Sequence, residues 1–63
     1  MVKLVIVRDD GREEEIAECA FSDDGKMLFD SYVKDNRHHV KLVYYGIFSE
    51  PMETDEHKPR EAK

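Results

Sequence analysis

Two adjacent histidines and a lone cysteine are the residues of this chain best suited to chemistry. His38, His39 and Cys19, with a carboxylate nearby, are side-chain types that ligate zinc. Their spacing speaks against a shared ion. The sequence contains no Cys-x-x-Cys or His-x-x-x-His pattern, and neighbouring residues on a strand point to opposite faces, so only one imidazole reaches a given ion. The same cysteine and a histidine could be paired as nucleophile and base. Activated thiols sit in electropositive settings, whereas Cys19 follows Glu13, Glu14, Glu15 and Glu18. It reads as a small, partly buried apolar side chain.

Asp9, Asp10, Asp23 and Asp24, each pair followed by a glycine, resemble fragments of a calcium loop. Such a loop needs oxygen ligands spread over about twelve residues and a closing bidentate glutamate. Arg12 and Lys26 interrupt both stretches, so these read as solvated turns. Tyr32, Tyr44, Tyr45 and Phe48 could stack on nucleobases, but a stacking platform sits in a basic groove. Here 10 basic residues face 15 acidic ones, for a net charge of −5. That field opposes binding to a phosphate backbone. The sequence therefore predicts no metal, no cofactor, no catalysis and no direct nucleic-acid partner, and it places the aromatics in a core or an interface.

What positions these residues is a single small domain. A chain of 63 residues buries only about 60% of the surface its unfolded form exposes. One core of this size supplies about 3–5 kcal/mol, so small domains add staples or a partner subunit. A lone cysteine forms no internal disulfide, which fits a reducing cytoplasm and leaves oligomerisation as the remaining device. The N-terminal apolar run stops at Arg8, too early for a signal-peptide core. No stretch reaches the roughly 18 apolar residues of a spanning helix, so a soluble, cytoplasmic protein without membrane contact is expected.

Val2 to Val7 is almost continuously apolar and reads as a strand buried on both faces. Asp9-Asp10-Gly11-Arg12 supplies a turn, because glycine accepts positive φ and aspartate tolerates it. Laying Arg12 to Ala20 back along the first strand pairs Arg8 with Glu13, Val5 with Ile16, Leu4 with Ala17 and Lys3 with Glu18. The rival is a helix over Glu13 to Glu18, where intrinsic propensity is high. Residues 22–36 carry two readings. As a helix, Ser22 caps it, Asp23 and Asp24 meet its positive end, Lys34 its negative end, and Asn36 closes it. Its buried stripe is then Leu28, Phe29, Tyr32 and Val33. As a strand, the repeated signature Asp23-Asp24-Gly25-Lys26 becomes a second hairpin turn in an all-β four-stranded antiparallel meander.

Strand order favours the helix. A meander would leave its two most apolar segments, Val2–Val7 and His39–Phe48, as bare edges. The predicted fold class is therefore α+β, a small ββαβ sheet with one helix packed on one face. The helix serves as a crossover that sets His39–Phe48 parallel to Val2–Val7, with the glutamate-rich strand as an edge. Residues 1–49 form the domain. Residues 50–63, densely charged and without apolar periodicity, are expected to be a disordered tail.

One helix covers one sheet face, so alternation along His39–Phe48 leaves Val43 and Tyr45 on the uncovered side, with Ile47 beyond them. The function expected from this is a non-catalytic protein-interaction module. It would act through an apolar sheet face or by strand addition at the His39–Phe48 edge, as a homodimer or with another protein. The alternative is an acidic inhibitor that presents Glu13, Glu14 and Glu15, with the turn aspartates, as a surrogate phosphate array to a nucleic-acid-binding protein.

Overall fold

The computed structural model describes residues 1–60. The chain forms β1 (Val2–Val7), β2 (Glu13–Cys19), α1 (Ser22–Asp35), β3 (His39–Tyr45) and β4 (Pro51–His57). All four strands lie in one antiparallel sheet of order β2-β1-β3-β4, with α1 packed on one face. The fold class is α+β, as the strand-order argument required, and the glutamate-rich β2 is an edge.

The orientation of β3 differs from expectation: it runs antiparallel to β1. A crossover helix makes the strand it enters parallel to the strand it leaves, and α1 leaves β2, not β1. Since β2 is antiparallel to β1, β3 must be as well, and β1 lies between the two parallel strands as in a split β-α-β unit. The second correction concerns the charged tail. Pro51–His57 is a strand, paired to β3 along Val40↔His57 through Tyr45↔Pro51. An edge strand needs only one ladder of backbone hydrogen bonds, and charge on it is protective, so apolar periodicity is not required of it. Proline occupies its first position, where no ladder donor is lost. Residues 61–63 of the expected tail lie outside the described residues. With β4 in place, β3 is an interior strand, and the proposed strand addition at its edge is ruled out.

The core consists of Val2, Leu4, Ile6, Val40 and Leu42, alternate residues of the two central strands. The helix reaches it through Gly25, Phe29 and Tyr32, and Leu28 of the expected stripe points outward. The second Asp-Asp-Gly signature is the first turn of this helix, not a reversal. Gly25 is there for clearance: a Cβ would fall 2.3 Å from Val2 Cγ2 and 3.2 Å from Leu42 Cδ1. Its missing side chain lets the helix backbone lie directly on the sheet.

The N-cap is Phe21, with no side-chain capping bond, in place of the expected Ser22. At the other end Asn36 takes the left-handed conformation at φ 55° and donates its N–H to the Tyr32 carbonyl, closing the helix as expected. Its side chain also gathers the chain beyond β4. Nδ2 donates to the Arg60 carbonyl at 2.9 Å, and Oδ1 accepts from the Arg60 N–H at 3.0 Å. Oδ1 also lies 3.0 Å from His57 Nε2.

Candidate interaction site

The uncovered sheet face is not the bare apolar patch that alternation alone predicts. Lys3, Val5 and Val7 of β1 and His39, Lys41, Val43 and Tyr45 of β3 are all half-buried. Polar pairs across the strands, two of them ion pairs, account for part of this. Lys3 Nζ sits 3.2 Å from Glu15 and 5.2 Å from the centre of the Tyr45 ring, Lys41 Nζ 3.0 Å from Glu13, and His39 Nε2 2.5 Å from Glu56. The hydrogen bonds to Glu15 and Glu13 hold the Lys3 and Lys41 ammonium groups above the ordinary lysine range. Lysine stems cover neighbouring apolar surface while their heads reach the glutamates. Val43 and Tyr45 are thereby flanked by salt bridges instead of standing open.

Glu13, Glu14 and Glu15 are spread over both faces of β2 by the strand's pleat. Each has a cation. Glu14 accepts from Arg8 at 2.8 Å, and this bond draws its carboxyl below the usual range. The expected hairpin register holds at Leu4↔Ala17 and Lys3↔Glu18 but shifts beyond, with Val5 opposite Glu15 in place of Ile16. A bulge absorbs the extra residue. The turn is correspondingly a three-residue loop, Asp9-Asp10-Gly11, closed by Arg8 N–H to the Arg12 carbonyl at 2.8 Å and Gly11 N–H to the Arg8 carbonyl at 2.9 Å.

The most exposed apolar side chains, Met27 on α1 aside, gather instead at one end of the sheet. Strand register puts Met1, Phe21 and the β3–β4 turn together there, because Val2 pairs with both Cys19 and Tyr44, and Tyr45 pairs with Pro51. Ile47 is 94% exposed, Phe48 88%, and Phe21 and Met52 each 72%. Ile47 and Phe48 were expected to extend β3, and they form the tip of a hairpin. This loop, Ile47-Phe48-Ser49, is closed by Gly46 N–H to the Glu50 carbonyl at 2.9 Å and Ser49 N–H to the Gly46 carbonyl at 3.0 Å. A Cβ at Gly46 would fall 2.5 Å from Glu50 Oε1 and 2.7 Å from Met52 Sδ, so both side chains close over the backbone at that point. The signal available in the sequence was Gly46 and Pro51 bracketing a short segment. The β-branched and aromatic types of Ile47 and Phe48 masked it.

Polar groups between sheet and helix fix the strand that carries this tip. The Tyr44 hydroxyl donates to Asp55 at 2.7 Å, and the Lys26 ammonium lies 6.0 Å from the centre of the Tyr44 ring. Burial first, then the bond to Asp55, pushes the Tyr44 phenol up to about 12. At the opposite end of the molecule an open cleft of about 350 Å³ is lined by Arg8, Asp9, Arg37, His38 and His39 among others. Its guanidinium groups are paired, Arg8 with Glu14 and Arg37 with Asp35 at 3.4 Å, and the His39 ring lies against Glu56. His38 packs edge-on against Tyr32, with ring centres 6.1 Å apart, so the two histidines part to different neighbours. Cys19 packs, half-buried, against the core. Among the described residues no three His, Cys, Asp or Glu side chains converge as metal ligands, and no helix is long and apolar enough to cross a membrane. Comparison with protein-family models, with curated proteins and with solved structures finds no match to this chain.

Proposed function

We propose that this chain is a small non-catalytic protein-interaction module whose contact surface is the apolar end formed by Ile47, Phe48, Met52 and Phe21. The observation that carries this reading is the almost complete exposure of Ile47 and Phe48 on a hairpin turn closed by two backbone hydrogen bonds. Single exposed apolar residues are ordinary, but adjacent large ones at a loop tip, with Met52 beside the same turn and Phe21 at the same end of the sheet, mark this end as apolar. Burying side chains of this kind in a partner is worth about 1.5–3 kcal/mol each before the costs of association.

The charge-mimic alternative has less support. A surrogate phosphate array needs unpaired carboxylates, and Asp10, Glu13, Glu14 and Glu15 each contact a cation of the chain itself. The test is a quantitative comparison of proteins retained by the wild-type chain and by an Ile47→Ser, Phe48→Ser double variant of equal stability. Partners lost from the variant support the reading, and an unchanged set removes it.

A further inference from the structure

The charges around the apolar end indicate what kind of surface it meets. Asp23 and Asp24 lie in the first turn of α1, which rests on Val2 at this end of β1. Glu50 closes over Gly46, and Glu53 stands opposite Tyr44 on β4. Lys26 lies among these carboxylates, drawn toward the Tyr44 ring, and the nearby Lys3 is bonded to Glu15. The apolar tip thus rises from an acidic collar.

Resting on the interaction-module reading, we propose that the Ile47–Phe48 tip inserts into an apolar pocket with a basic rim on a different protein. Two other occupants are disfavoured by the same collar. A second copy, meeting end to end, would bring two sets of these carboxylates together, and like charges facing each other across an interface disfavour association. An anionic bilayer would repel the collar in the same way. A pocket edged with lysine or arginine satisfies both features, since its core buries the two apolar anchors and its rim meets the carboxylates. Complementary charge of this kind speeds encounter and makes binding weaken as salt rises.

The full-length chain carrying the photoreactive residue p-benzoylphenylalanine at position 48, with a second version carrying it at position 10, is illuminated in the cells that produce it. The expected result is a discrete adduct with another protein from position 48 and none from position 10. That protein, purified, binds the wild-type chain more weakly as salt rises. Ile47→Ser with Phe48→Ser loses at least about 30-fold in affinity, as for paired hot-spot residues. Asp23→Asn, Asp24→Asn, Glu50→Gln and Glu53→Gln together flatten the salt dependence while retaining affinity at high salt. Amide spectra of each variant establish that it is folded.

An adduct between two copies of the chain, or tip-dependent binding to vesicles of phosphatidylcholine, overturns the proposal in favour of that occupant. A partner whose affinity is indifferent to salt and to the four collar substitutions overturns the basic rim but leaves the interaction module standing. No adduct at all, or equal adducts from positions 10 and 48, removes the interaction reading itself.

Discussion

The two hairpin turns share one backbone design and carry opposite side chains. In each, a three-residue loop is closed by the same pair of hydrogen bonds, Arg8 to Arg12 with Gly11 to Arg8, and Gly46 to Glu50 with Ser49 to Gly46. The third loop residue is left-handed in both, Gly11 at φ 88° and Ser49 at φ 63°. The β1–β2 turn fills this frame with residues suited to it. Asp10 accepts from both the backbone N–H and the Nε of Arg12, at 3.0 and 2.7 Å, and Gly11 takes positive φ without strain. The β3–β4 turn sets a serine where glycine is favoured and isoleucine and phenylalanine where polar residues belong. A local rule is broken twice in one loop, and this is the observation from which the contact proposal for this turn starts.

The largest test concerns what both hairpins stand on. Leu42→Ala empties a core position at which β3 and the helix meet, and such truncations cost about 2–5 kcal/mol. In a domain with about 3–5 kcal/mol in its core this unfolds most of the population, which circular dichroism and urea unfolding will show. Loss of β4 alone, with β1 and β2 intact, would mean that the hairpins fold independently and are not comparable parts of one unit. Next is exchange of the left-handed residues. Gly11→Ala has open space around it, with nothing within 4 Å of the added Cβ. Its cost is therefore conformational, about 1–2 kcal/mol. Ser49→Gly gains less, about 0.5–1 kcal/mol, because relief of strain is offset by a freer unfolded chain. Opposite shifts of the urea midpoint, the larger one from Gly11→Ala, would sharpen the claim that one frame underlies both turns. A destabilised Ser49→Gly would show that the serine does more than tolerate its φ.

Much of this was legible in the sequence, and the failures share a cause. The central strands and the Asn36 closure followed from periodicity and turn chemistry, which are local, while the helix over 22–36 and the acidic edge followed from avoiding bare apolar edges in the strand order. The direction of β3, the strand at 51–57 and the bulge opposite Val5 depend on which segments meet, and segments far apart in sequence decide that. Pro51–His57 has no pattern of its own, and it becomes a strand because β3 offers an unpaired edge. Ile47 and Phe48 misled for a different reason: their types fit a strand, and their position places them at a reversal. Of the candidate residues, Ile47 stands in the exposed patch. Val43, Tyr45 and the three glutamates lie on the sheet, half-buried or salt-bridged.

Tyr44→Phe acts on the second hairpin and spares the first. Removing the hydroxyl forfeits the bond to Asp55 and costs about 0.5–1.5 kcal/mol, read as faster amide exchange along β4 with β2 unchanged. Because the folded phenol is pushed up to about 12, folding favours the neutral form. That contribution is present below the unfolded tyrosine value of about 10 and is lost as pH rises towards 12. A tyrosinate absorbance titration of the wild type should therefore show a component near 12 that the phenylalanine variant lacks.

The smallest effect separates the hairpins by acid. Glu14 is held below the ordinary glutamate range by its hydrogen bond to Arg8 in the first hairpin, and Glu56 chiefly by its bond to His39 in the second. A depressed folded value means stabilisation that is present above the unfolded value of about 4.3 and is lost as pH falls through the lower, folded one. Both carboxylates are exposed, so the change in overall stability is small and the sensitive readout is the carboxyl carbon shift of each residue. Arg8→Ala should return Glu14 to the ordinary range and leave Glu56 where it is, whereas His39→Ala should do the reverse. Arginine stays charged throughout this titration and histidine owes its charge to pH, so added salt should raise the Glu14 midpoint by weakening a fixed ion pair. If either substitution moves both glutamates, the hairpins are electrostatically coupled through the sheet, and the independence of the two turns fails at the level of charge even where it holds at the level of backbone.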